Sequence, residues 1–102
     1  MQLSTMLTSS GRVVIIETDE DLDLRSHDVF VHACKLAKYP DVNAIEVNLG
    51  NTRNIRASGV DMLLMLHQRT NGSSDRIRLV NCSARIRLQL TTSRVGKRFH
   101  VV

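Results

Sequence analysis

Short β-branched apolar segments alternate with segments of helical periodicity along these 102 residues, and this alternation most constrains the fold. The first kind is seen in the block Val13-Val14-Ile15-Ile16 and in the every-second-residue pattern at 44–49, both typical of strands with a buried face. The second kind is found at 25–38 and 58–69, where apolar residues recur at helical spacing. Strands that alternate with helices indicate a largely parallel or mixed sheet flanked by helices.

The remaining predicted elements complete an order of β, β, α, β, α, β, α, β. They are strands at 3–7, 76–81 and 99–102 and a helix at 83–91. We therefore expect an α/β fold with a four- to five-stranded mixed sheet flanked by three or four helices, built as one domain over 1–102. The residues expected inside the sheet are Val14, Ile16, Ile45, Val47, Ile77 and Leu79.

Helix ends and helix burial give further expectations. Asp23 or Ser26 is suited to cap the first helix, and Ser83 to cap the third, because such side chains accept hydrogen bonds from unpaired first-turn amides. The second helix is apolar over most of its circumference. Leu63 and Leu64 are therefore both expected to be nearly inaccessible.

Motifs that carry chemistry are missing from the sequence. It contains no G-x-S-x-G, no phosphate-binding glycine loop and no H-E-x-x-H, and the acids at 17–23 lack the glycine turn of a calcium loop. Cys34 and Cys82 are far apart, so two reduced thiols are expected, with a disulfide left open. The sequence therefore predicts no enzyme, no cofactor and no metal site.

Charge is unevenly distributed, with acids crowded at 17–28 and arginines dominating the last third, for a net charge of +4. Such a surface suits protein partners, and it leaves a homodimer open. The late arginines lack the neighbouring aromatic rings that single-strand nucleic-acid binders use for stacking, so no nucleic acid is expected. No apolar run approaches the about 18 residues of a membrane span, and no secretion signal is found, so we expect a cytoplasmic protein without direct membrane insertion.

Three segments in the right order resemble STAS domains, a family that includes the bacterial anti-sigma-factor antagonists. They are D-L-D at 21–23, V-N-L-G-N-T-R-N-I-R-A-S-G-V at 47–60 and R-I-R-L-V-N-C-S-A-R-I-R at 76–87. The middle segment is similar to the family's central signature, in which a strand and a short loop lead into D-S-S-G-L or D-S-T-G-L at the start of a buried helix. The resemblance covers essentially the whole chain.

The resemblance implies a non-enzymatic protein-binding module whose partner is an anti-sigma factor or a serine-kinase-like ATPase. It places the partner interface at Arg56, Ala57, Ser58 and Gly59, which we expect to face solvent, and the family's phosphorylated hydroxyl at Ala57. Alanine cannot accept phosphate, so the usual phosphorylatable serine is absent. Ser58 remains as a substitute phosphorylation site or as a simple helix cap.

The resemblance also allows a second function. STAS domains occur as structural subunits of lipid-transport ATPases and in signalling scaffolds, where the domain braces a partner. Gene neighbours would separate the two functions, since a sigma factor with a serine kinase or phosphatase favours the first and transporter genes favour the second.

Overall fold

A computed structural model describes residues 1–70, 76–93, 95 and 98–101. Its strands are β1 (Gln2–Thr8), β2 (Gly11–Glu17), β3 (Asp21–Leu22), β4 (Val42–Asn48), β5 (Asn54–Ile55), β6 (Ile77–Val80) and β7 (His100–Val101). The α-helices are α1 (His27–Leu36), α2 (Ala57–Arg69) and α3 (Ala84–Thr92), and a 3₁₀ turn covers Leu24–Ser26. The predicted order is therefore confirmed, with β3 and β5 as additional strands. Val102, predicted as strand, lies outside the described residues.

The main sheet is mixed and has the order β1-β2-β4-β6-β7. β1 is antiparallel to β2, whereas β2, β4, β6 and β7 are parallel to one another. Each parallel strand is added on the same side of the preceding one, so right-handed crossovers place α1, α2 and α3 on one face of the sheet. The short strands β3 and β5 form a separate parallel ribbon.

The core lies between the sheet and this helical layer. All six residues predicted inside the sheet are buried, none of them more than 1% exposed. Residues that alternate with them, such as Ile15, Glu46 and Arg78, are half-buried, as expected for the face without helices. Leu63 is completely buried, as predicted.

Leu64, however, is only half-buried, so that prediction was wrong. The buried residues of α2 are Gly59, Met62, Leu63 and Leu66, which form one stripe along the helix. Successive residues of a helix point about 100° apart, so Leu64 lies outside this stripe although its neighbour Leu63 lies within it.

Only some of the side chains predicted to cap the helices do so. Asp23 accepts a hydrogen bond from the backbone N–H of Arg25 and begins the 3₁₀ turn. Ser26 is at the N-cap position of α1 but makes no side-chain cap, and its buried hydroxyl has no partner within the described ranges. Ser83 caps α3, as predicted, by accepting from the N–H of Ile86 at 3.2 Å.

Both cysteines are free thiols. Burial raises the pKa of the Cys34 thiol and of the Cys82 thiol. Across the part of the chain that the structure describes, no helix has the length and apolar character needed to cross a membrane.

Candidate partner-binding site

The β3–β5 ribbon positions the start of α2. Asp21 pairs with Asn54 and Leu22 with Ile55 in parallel register. The backbone N–H of Arg56 then donates to the carbonyl oxygen of Leu22 at 2.9 Å, and Leu22 itself is completely buried. The chain therefore enters α2 from a strand that is anchored on a core residue.

Gly59, in the first turn of α2, lies against the backbone of β3 and not on the protein surface. An added Cβ at this position would lie 2.1 Å from the Leu22 carbonyl oxygen, far inside van der Waals contact. Gly59 is buried, so the expectation that it faces solvent with its neighbours was wrong. A glycine is needed here because the first turn of α2 approaches the β3 backbone too closely for any side chain.

Ser58 joins two elements and does not cap α2. The N-cap residue of α2 is Arg56, whose side chain makes no capping hydrogen bond. Ser58 is the second residue of the helix, and its Oγ accepts from the backbone N–H of Leu24 at 3.0 Å. The cap interpretation was therefore wrong, and the hydroxyl instead ties α2 to the 3₁₀ turn that precedes α1.

Arg56 and Ala57 are the exposed residues of the predicted set, and Ser58 is half-buried between them and the 3₁₀ turn. We call Arg56, Ala57 and Ser58 the α2 entry. The Arg56 side chain is 61% exposed, and its Nη2 lies 3.6 Å from Asp21 Oδ1, which is an ion-pair distance too long for a hydrogen bond. The α2 entry is thus a solvent-facing surface on a fixed backbone.

The acidic segment at 17–28 is paired with arginines around the α2 entry. Arg25 bonds Asp23 at 2.9 Å, and Arg53 lies 3.8 Å from Glu20. The Arg25 hydrogen bonds hold the pKa of Asp23 below its ordinary range. This surface therefore carries neighbouring charges of both signs and is not a uniformly acidic edge.

The arginines weighed as a nucleic-acid footprint are also engaged within the chain. Arg76 Nη2 donates to the carbonyl oxygens of Ala37 and Val42, both at 3.1 Å. Arg78 lies 3.3 Å from Glu46 on the neighbouring strand, and Arg85 donates to Asn54 Oδ1 at 2.8 Å. Three of these guanidinium groups therefore stabilise the fold and its loops.

A buried hydroxyl pair, which sequence patterns did not indicate, positions the loop before β5. Thr18 and Thr52 are both buried and lie in hydrogen-bond contact. Thr52 also donates to the carbonyl oxygen of Asp19 at 2.6 Å. These contacts anchor the loop from β4 on the end of β2, so the path from β4 into α2 is anchored at two points.

Comparison by sequence finds no match: no protein-family model and no curated protein matches the chain. Comparison by structure finds similar proteins. The anti-sigma factor antagonist SpoIIAA in its unphosphorylated form has a TM-score of 0.72 and 18% identity, covering 99% of this chain and 88% of that one. The chain has a STAS fold.

Two further structures show the same STAS fold. The phosphorylated form of SpoIIAA, described as a Bacillus cell fate determinant, has a TM-score of 0.60 and 19% identity over 99% of this chain and 91% of its own. A serine-to-glutamate variant of RsbS from Moorella thermoacetica has a TM-score of 0.70 and 10% identity over 100% of this chain and 86% of its own. The resemblance to STAS domains drawn from the sequence is confirmed at the level of the fold.

Proposed function

We propose that this chain is a non-enzymatic regulatory module that binds a protein partner in the manner of an anti-sigma-factor antagonist. The observation that carries the proposal is the likeness to the antagonist SpoIIAA over 99% of the chain. It extends through the elements that build the α2 entry. The proposed module is one domain over 1–102 that works in the cytoplasm.

The proposed contact surface is the α2 entry. Arg56 and Ala57 face solvent, and their backbone is fixed by the bond from Arg56 to Leu22 and by the bond from Leu24 to Ser58. A rigid exposed surface loses little conformational freedom on binding, which favours affinity. The first amides of α2 also lack partners within the helix and can donate to a bound protein.

The proposed module is not controlled by phosphate at the family's usual position. That position is Ala57, which has no hydroxyl. A phosphate there would add about −1.5 to −2 charge at a helix N-terminus, whereas this chain presents a methyl group beside the fixed charge of Arg56. Ser58 keeps a hydroxyl, but its oxygen already accepts from the Leu24 N–H. We therefore infer that binding is constitutive.

The test uses an anti-sigma factor or serine-kinase-like ATPase encoded beside the gene for this chain. We expect the pair to bind by isothermal titration calorimetry, and intact-mass measurement after incubation with ATP and magnesium to show no added phosphate. The Ser58→Ala variant is the control for the mass measurement, since it has no hydroxyl at position 58 and should give the same mass result.

Two outcomes would contradict the proposal. Stoichiometric phosphate that disappears in Ser58→Ala would show that the phosphorylated position has moved by one residue. Absence of binding to any such protein, together with co-purification of transporter subunits, would instead support a structural role in a lipid-transport ATPase.

A further inference from the structure

β1 forms a long free edge of the main sheet. It is the terminal strand in the order β1-β2-β4-β6-β7 and has seven residues, whereas β7 at the other edge has two. In the described ranges, no backbone hydrogen bond joins β1 to any segment other than β2. One side of its backbone is therefore unpaired.

The alternation of an antiparallel ladder identifies the unpaired groups. The N–H of Arg12 donates to Asp41 on the β4 side of β2, so Arg12 and its β1 partner Leu7 do not bond each other. Bonded and non-bonded pairs alternate along such a ladder. Leu3, Thr5 and Leu7 therefore direct their backbone N–H and C=O groups away from β2, towards solvent.

This edge lacks the features that protect exposed strands. Natural edges are blunted by charged residues, proline, bulges or covering segments. β1 contains no charged residue and no proline, and its seven-residue register with β2 has no shift. Leu7 on this edge is 80% exposed and Met6 is 49% exposed. Such a strand is a template for pairing with another chain.

We propose that β1 pairs antiparallel with β1 of a second copy of this chain, about a two-fold axis at Thr5. In this register Leu3, Thr5 and Leu7 form bonded pairs with Leu7, Thr5 and Leu3 of the partner, respectively. Each bonded pair exchanges two N–H···O=C bonds, so every outward backbone group of these residues is satisfied. The two sheets then become one continuous sheet.

A second copy fits this edge because the two strands are self-complementary. The exposed Leu7 meets Leu3, which packs against the partner's core as it does in its own chain. Met6 meets Ser4, and the strand presents no charge that would repel its copy. The residues concerned are separate from the α2 entry, so this inference is independent of the proposed function.

The first test is the oligomeric state of the full chain, measured by sedimentation equilibrium. The wild type is expected to dimerise in a concentration-dependent way. Leu7→Lys is expected to raise the dimer Kd about tenfold or more, because it buries an unpaired ammonium group in the pairing. Leu88→Lys is the matched control, since Leu88 is 66% exposed on α3 away from this edge, and it should dimerise like the wild type.

The second test is amide hydrogen exchange as a function of protein concentration. Exchange at Leu3, Thr5 and Leu7 should slow as concentration rises, whereas exchange at Ser4 and Met6, whose amides already bond β2, should not change. A wild type that stays monomeric into the millimolar range would overturn the proposal. So would a dimer that is unaffected by Leu7→Lys, or protection without the predicted alternation.

Discussion

The carbonyl oxygen of Leu22 has two roles at the start of α2. It accepts the backbone N–H of Arg56 at 2.9 Å, and it lies only 2.1 Å from where a Cβ at Gly59 would be. The same atom therefore fixes the entry of the helix and excludes a side chain three residues later. The burial of Gly59 follows from this close approach.

Gly59→Ala should destabilise the fold. Alanine favours the helix by about 1 kcal/mol relative to glycine, but its Cβ would overlap a backbone oxygen that cannot move without disturbing β3. The clash should dominate, with a net loss of about 1–3 kcal/mol in the free energy of unfolding. Urea denaturation followed by circular dichroism measures this loss.

Gly50→Ala is the matched control for that measurement. A Cβ at Gly50 would meet the side-chain oxygen of Asn48 at 3.0 Å, and a shift of a few tenths of an ångström relieves this contact without breaking the hydrogen bonds that the oxygen accepts from Gly50 and Asn81. We expect a change within about 0.5 kcal/mol. Equal stability of the two variants would mean that α2 does not approach β3 as closely as described.

The role of Gly59 was not predictable from local pattern. The motif shows Gly59 directly after Ala57 and Ser58, but it does not show that Gly59 is buried. That burial depends on a contact with Leu22, which is distant in sequence. The same holds for Ser58, whose position suggested a cap although its oxygen bonds the N–H of Leu24. Both errors concern contacts between elements, which helix propensity and spacing do not encode.

At the scale of elements, α2 shows how finely burial varies around a helix. Its central stripe contains Met62, Leu63 and Leu66, while Leu64 and Met65 lie at the edges. The sequence alone indicated only that the helix is apolar over most of its circumference. Which residue is central depends on the rotation of the helix against the sheet, and the packing of both neighbouring elements decides that rotation.

Truncation of adjacent leucines in α2 should therefore have unequal effects. Leu63→Ala removes a completely buried side chain and should cost about 2–5 kcal/mol. Leu64→Ala, at the half-buried edge, should cost about 1 kcal/mol. Thermal and urea unfolding of the two variants provide the comparison, and equal losses would contradict the rotation of α2 described here.

The β3–β5 ribbon is the element that sequence periodicity could not reveal. Two-residue strands such as Asp21–Leu22 and Asn54–Ile55 are too short to show an alternating pattern. The buried contact between Thr18 and Thr52 was equally hidden, because threonine in a loop is ordinarily exposed. These features place the α2 entry, so the geometry of the site was less predictable than the fold.

At the scale of the whole molecule, the order of elements was well predicted because strands and helices here differ clearly in apolar spacing. Blocks such as 13–16 and 76–81 show strand patterns, and 58–69 shows a helical one. The surface charge was predicted less well. Arginines and carboxylates that are separate in sequence meet in space, as Arg56 and Asp21 do, so the acids at 17–28 do not form a uniformly negative surface.

The STAS fold and the α2 entry together support a constitutive protein-binding module. The decisive experiment compares two variants, each with one added negative charge at the start of a different helix. Ala57 and Ala84 are both exposed first residues of helices, α2 and α3. An aspartate at either position is favoured by the helix dipole, so neither variant should unfold.

The most direct measurement is titration of the partner, an anti-sigma factor or serine-kinase-like ATPase, against the wild type, Ala57→Asp and Ala84→Asp. The account predicts that Ala57→Asp weakens binding by about 1–3 kcal/mol, because the carboxylate is buried unpaired in the contact. Ala84→Asp should bind like the wild type. Equal affinity of all three proteins, with folding checked by circular dichroism, would place the interface elsewhere and contradict the account.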